Sequence, residues 1–198
     1  MAGRPKKGEN NLDVGRIVEA AWRLVDRVGI EGLSTRALAA ELDVKGPALY
    51  WHVRSKQQLL SLMIEQALAG SIAKVPPDLP WWEWIRAVGC DQRKTLLAHR
   101  DSGRIASNAP PTERLQNEIF IKAIEPLVRA GVPPKQASAA FGGLAGFVLG
   151  VVIYEQSEAT RSFVLAHHDP DEAFDFALDA YVTGLRAKAG TQAKTREG

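Results

Sequence analysis

The chain has 198 residues, 45% of them apolar and 24% charged, and a formal net charge of +2. Its single cysteine, Cys90, excludes an internal disulfide and fits a reducing cytoplasm, where the protein is expected to reside. The longest apolar run, Ala139–Ile153, has fifteen residues with four glycines, short of the ~20 that cross a bilayer, so it is read as a buried helix.

The opening stretch Gly3-Arg4-Pro5-Lys6-Lys7 is basic and lacks the apolar segment of a signal peptide. An arm of this kind, with Arg4 foremost, either reaches into a DNA minor groove or is a solvated tail. Residues 1–60 carry ten Lys or Arg against seven Asp or Glu, and the remainder fifteen against sixteen. The positive charge therefore sits at the N-terminal end, the sign expected of a segment that meets nucleic acid. A first helix is predicted over Leu12–Val28 from Val14, Ile17, Val18, Ala21, Leu24, Val25 and Val28 at helical spacing, with Gly29 as its stop.

Thr35–Leu42 then reads as a short helix, Asp43–Gly46 as a tight turn, and Pro47 as the first residue of a second helix. Ser34 is an N-cap, with Leu33 and Leu38 placed as a hydrophobic staple. Proline at a first helical position sacrifices no hydrogen bond. Ser55 and Gln58 form a capping box that starts another helix at once. Two short helices across such a turn form a helix-turn-helix, whose second helix fits a major groove. Leu38, Leu42, Val44, Leu49 and Val53 face inward. Thr35, Arg36, Lys45, Ala48, Tyr50, Trp51, His52 and Lys56 face outward, a set suited to phosphate contacts or to an ordinary solvated surface.

From Ser55 an amphipathic helix runs to about Ala73 and ends at Val75-Pro-Pro-Asp-Leu-Pro80. As the single covalent link between two compositions, it is a natural lever. Trp81, Trp82 and Trp84 point in different directions on the next helix, which extends to His99-Arg100-Asp101, and are read as packing at the domain junction. Ser102–Pro111 reads as irregular, and Thr112 caps a helix to Gly131. In the helix predicted over Lys135–Gln156, Gly142, Gly146 and Gly150 recur on one face. Glycine costs about 1 kcal/mol in a helix interior, so three in register imply a close neighbour, within the chain or in a second copy. A last helix opens at Asp169 and carries Phe174, Leu178, Tyr181, Val182 and Leu185. Between these two helices, His167-His168 is the only close histidine pair that could bind a metal, and it is read instead as a solvated loop.

Gly29-Ile-Glu-Gly-Leu-Ser-Thr-Arg36, then Leu38-Ala39, Pro47-x-Leu49-Tyr50-Trp51-His52-Val53 and Lys56 resemble the DNA-binding domain of the TetR family of bacterial repressors, most of all its tetracycline-repressor branch. Weaker likeness continues through Leu96–Gly103, Pro111-Thr112-Glu113 and Phe147–Gly150. The resemblance implies an all-α protein: a helix-turn-helix domain over residues 1–55 and an effector-binding and dimerisation domain over 56–198. It implies a homodimer on a palindromic duplex operator, released by a small-molecule effector; from the residues themselves no cofactor or metal is expected. Arg36, Lys45, Gly46, Pro47, Ala48 and Tyr50 are expected to face the operator, and Thr35, Trp51, His52 and Lys56 its phosphates. Gly142, Gly146, Gly150, Phe174, Leu178 and Tyr181 are expected at the dimer interface.

The chain departs from that pattern in informative places. Tetracycline repressors carry a glutamine before the recognition-helix proline; here Gly46 stands and cannot read adenine. Ala106 takes the place of the magnesium-binding histidine, Tyr154 of an acidic residue, Val88 of a drug-gripping asparagine and Ile72 of a ring-contacting histidine. A hydrophobic effector is therefore expected rather than magnesium–tetracycline, with Ile72, Val88, Gln92, Ala106, Phe120, Phe147 and Tyr154 as candidate lining. Two other readings remain: an architectural DNA-binding protein without effector, and an all-helical enzyme. No nucleophile–base pair, paired carboxylates or phosphate loop favours catalysis, so a non-enzyme is expected.

Overall fold

The structure, a computed structural model, describes residues 12–196, with side chains described through residue 189. The arm containing Arg4 lies outside the described residues. Ten α-helices follow one another: α1 (Val14–Gly32), α2 (Thr35–Glu41), α3 (Gly46–Tyr50), α4 (Lys56–Lys74), α5 (Trp81–Leu97), α6 (Ser102–Asn108), α7 (Phe120–Arg129, preceded by a π-helical turn at Leu115–Ile119), α8 (Pro134–Gln156), α9 (Glu158–His167) and α10 (Pro170–Arg196). No strand occurs among the described residues.

The predicted caps form. Ser34 Oγ accepts from Ala37 N at 3.1 Å, Ser55 Oγ from Gln58 N at 3.1 Å, and Thr112 Oγ1 from Leu115 N at 3.0 Å. The Gln58 side chain reaches back to Arg54 N rather than to its own cap residue. Gly29 takes φ 74°, a conformation open to glycine, and ends the first straight segment of α1 before one further turn. Helices α1–α3 pack about Ile17, Val25, Leu38, Leu49 and Val53, all fully buried. Val14 and Val28 lie on the exposed side instead.

Helix α4 departs from the one-sided pattern expected of it. It packs against α1 on one side and α5 and α6 on the other, so it buries Leu59 and Met63 and also Ser61 and Glu65. Two stretches read as loop are helical. Residues 102–108 form α6, which the small polar composition hid. Residues 158–167 form α9, a separate helix after a break at Ser157, so His167 is helical, with Nδ1 against Phe163 O at 2.8 Å.

The three tryptophans pack within the C-terminal bundle rather than at the boundary with the helix-turn-helix. Trp84 meets Phe141 of α8, and Arg186 of α10 stacks over Trp82 at 4.3 Å. Helix α8 is the one helix, among the described residues, that is long and apolar enough to cross a membrane, but only 33% of that stretch is buried in the subunit. Its inner face carries Phe141, Leu144, Val148 and Val152.

Candidate DNA-binding interface and effector cavity

The helix-turn-helix is pinned from behind. Leu38 and Leu49 are buried, and Asp43 turns the chain with φ 53° between α2 and α3. That leaves Arg36, Lys45, Pro47, Ala48, Tyr50 and Trp51 exposed, with Thr35, Gly46 and His52 half-buried beside them. Tyr50 is 54% and Trp51 87% exposed, more than large aromatics normally leave in water. Glu41 is the one carboxylate on α2, and it is held by Arg27 at 2.5 Å and Arg23 at 3.8 Å, both from α1. The Arg27 hydrogen bond lowers the Glu41 pKa. Among the described residues, Arg36 and Lys45 have no side-chain partner. The result is an outward face with free cations, polar aromatics and no competing anion on α2.

Lys56 differs from the rest of its predicted group. It is half-buried, and its Nζ donates to Ile30 O at 2.8 Å, so it fastens the start of α4 to the end of α1. Its remaining N–H groups are what a phosphate could use.

A second connection, absent from the sequence reading, joins the helix-turn-helix to the C-terminal helices. His99 stacks on Trp22 at 4.3 Å and its Nδ1 lies 2.9 Å from Asp26 Oδ2. Asp26 also accepts from Arg100 N, Asp101 accepts from Ile30 N, each at 2.9 Å, and Arg104 pairs with Glu31 at 2.7 Å. Asp101 holds a left-handed φ of 56°, a strained conformation worth about 1–2 kcal/mol for a residue with a Cβ. Gln156 supports this turn by donating to His99 O and accepting from Gly103 N. Helix α4 is thus the sole covalent link but not the sole mechanical one. The contact was legible only as the resemblance at His99-Arg100-Asp101, because its partners lie more than 70 positions away.

The predicted effector residues do not surround one space. Gln92 and Ala106 border a cavity of about 160 Å³ between α4, α5, α6 and α8, with Ile64, Leu68, Leu96 and Val148 on its walls. Phe147 and Tyr154 border a separate hollow of about 360 Å³ under α9 and α10. Val88 is fully buried and Phe120 turns onto Phe141; with half-buried Ile72, they line neither space. A larger open groove of about 1000 Å³, lined by Arg100, Arg104, Arg161, Glu31 and Glu158, runs along the joint itself. Of the three spaces, the 160 Å³ cavity suits an effector best, because it alone is lined by residues of α4, Ser61, Ile64 and Leu68. Among the described residues, no cluster of His, Cys, Asp or Glu could hold a metal. Cys90 is half-buried, and burial raises its pKa, which keeps the thiol protonated and unreactive.

The expected dimer face also divides. A Cβ at Gly142, Gly146 or Gly150 would meet nothing within 4 Å, so the close neighbour is not within the subunit. The glycines that do admit close packing are Gly89 against Leu144, Gly103 against Ile153 and Gly143 against Tyr181. Phe174 and Leu178 point into the subunit's own core, and Tyr181 donates to Ala140 O at 2.5 Å. Phe174 stacks on Phe147 and lies under the Arg93 guanidinium. The outward side of α10 instead presents Phe176.

Residues 17–63 match the family model described as bacterial regulatory proteins, tetR family, and residues 76–163 the tetracyclin repressor-like C-terminal domain. Tetracycline repressor protein class E of Escherichia coli is 35% identical over 196 residues, covering 89% of this chain and 92% of that protein. A TetR variant of Acinetobacter baumannii in complex with minocycline superposes with a TM-score of 0.74 at 32% identity, over 89% of this chain and 97% of the other. BioQ with its double-stranded DNA operator gives 0.66 at 33% identity, over 89% and 99%.

Proposed function

The chain belongs to the TetR family of bacterial regulatory proteins, and from that premise we propose that it is a transcriptional repressor that binds a duplex operator as a homodimer and is released by a small, mostly apolar effector. The observation that carries this reading is the α2–α3 face: two unpaired cations and two exposed aromatics, with the α2 carboxylate neutralised from behind. Arg36 and Lys45 neutralise phosphates or reach guanine, Ala48 meets a thymine methyl, and Tyr50, Trp51, Thr35 and His52 complete the contact. The DNA-binding unit comprises residues 1–55, with α4 opening the effector and dimerisation unit.

Gly142, Gly146 and Gly150 form an open stripe on the largely unburied α8. A second copy packing there, with α10, brings two helix-turn-helix units onto one side of a duplex. Half-sites one helical turn apart require a separation of roughly 34 Å. An effector in the cavity presses on Ile64 and Leu68 of α4, and the α1–α6 joint constrains how the helix-turn-helix follows. Release requires the effector to prefer the state with the wrong separation, since equal affinity for both states shifts nothing.

The test is sedimentation of the protein with a selected operator, followed by challenge with a compound library. Two subunits per duplex and a compound that frees the DNA are expected. A complex that no compound dissociates would contradict effector control.

A further inference from the structure

The 160 Å³ cavity is lined by one polar side chain that no other described protein group bonds. Gln92 of α5 is 2% exposed, and its amide has no hydrogen-bond partner among the described residues. Among the described residues, no side-chain nitrogen or oxygen is both sealed from a water-sized probe and unpaired, so this amide opens onto the cavity that Gln92 lines. An unpaired amide amid Ile64, Leu68, Leu96 and Val148 lowers stability relative to a leucine of similar size. Such a group has a physical reason to be there if a ligand completes its hydrogen bonds.

The remaining walls define the ligand's charge and size. No Lys, Arg, His, Asp or Glu lines the cavity. The nearby Glu65 carboxylate is held by Thr112 and Arg114, and the Ser61 hydroxyl already donates to Gln57 O at 3.0 Å. An ionised ligand would lose its hydration with no counter-charge in return. The space inside the subunit, about 160 Å³, compares with the roughly 150 Å³ that holds benzene, and its mouth at Pro110 and Pro111 opens to solvent, so this space fixes the size of the inserted group.

Building on the effector reading above, we propose that this site takes a compact, neutral ligand about one aromatic ring in size, which presents an adjacent donor and acceptor to the Gln92 amide. A carboxamide, a lactam or an ortho-hydroxy carbonyl has that pattern. The amide N–H donates to the ligand carbonyl, and the amide oxygen accepts the ligand N–H or O–H.

The experiment titrates the full chain with benzamide, toluene and benzoate, three probes of nearly equal size, and repeats the series with Gln92→Leu. The wild type should bind benzamide about tenfold more tightly than toluene, with benzoate weakest. Gln92→Leu should reverse the benzamide–toluene order and raise Tm, because it removes an unpaired buried amide. Equal affinity for the three probes, or a Tm that falls in Gln92→Leu, would overturn the proposal. A separate operator-release assay on both proteins tests the effector reading. Release by a large or charged compound, equally in both, would refute the ligand class while leaving effector control intact.

Discussion

Charged side chains are used in opposite ways at the two ends of the molecule. In the C-terminal helices, three arginines are tied down between helices or within the bundle: Arg86 to Asp175 and Asp179, Arg93 to Glu155 and Asp171, Arg114 to Glu65. Burial opposes the charge on Arg93, but its paired carboxylates more than offset this and its pKa is raised. On the helix-turn-helix, pairing is confined to the back, where Arg23 and Arg27 hold Glu41, while Arg36 and Lys45 stay free. The shielded Arg93–Glu155 pair, with both side chains mostly buried, is little weakened by salt. A face of unpaired cations gains its energy from an external polyanion and loses it as salt rises.

The sharpest way to break this contrast is to remove the free cations. Arg36→Ala and Lys45→Ala should each weaken operator binding about tenfold or more and reduce the slope of log affinity against log salt by about 1. Thermal unfolding should not change. Arg23→Ala, whose partner is behind the face, should move the slope much less, as fluorescence anisotropy titrations at several salt concentrations would show.

Glycines sharpen the comparison next. A Cβ at Gly103 would lie 2.9 Å from Ile153 Cγ1 and 3.2 Å from its backbone N, which cannot yield easily. Gly103→Ala should therefore cost about 1–3 kcal/mol in denaturant unfolding. Gly142→Ala meets open space and should favour the isolated helix by up to ~1 kcal/mol. Gly142→Leu should instead weaken the dimer, read as a concentration-dependent shift in sedimentation.

The joint predicts an effect of similar or smaller size. Asp101→Ala leaves Ile30 N without its acceptor and should cost about 1–2 kcal/mol. It should also blunt effector-driven release while leaving effector affinity unchanged, if the joint transmits strain alongside α4. The smallest effect concerns Cys90: with its pKa raised by burial, alkylation at neutral pH should be slower than that of a free thiol.

Local signals made the N-terminal third readable. Caps at Ser34 and Ser55, the turn at Asp43 and the Leu38–Leu49 pinning all act within a few residues, and the structure keeps them. The C-terminal helices depend on long-range neighbours. Phe174 and Leu178 are apolar at helical spacing whether they face a partner or their own core, so spacing could not tell these apart. Helix α6 was hidden by its Gly, Ser and Asn content, and its stability comes from packing on α4 and α8. The effector list failed as a single site because pocket lining depends on which way each side chain turns. Only Gln92 and Ala106 share the cavity against α4.

The most direct test of operator recognition is selection of bound duplexes from a random pool by the purified protein at physiological salt. Enrichment of an inverted repeat, bound by two subunits and lost in Arg36→Ala, is the expected result. Salt-sensitive binding with no enriched sequence would contradict it, leaving a cationic face that holds DNA without reading it.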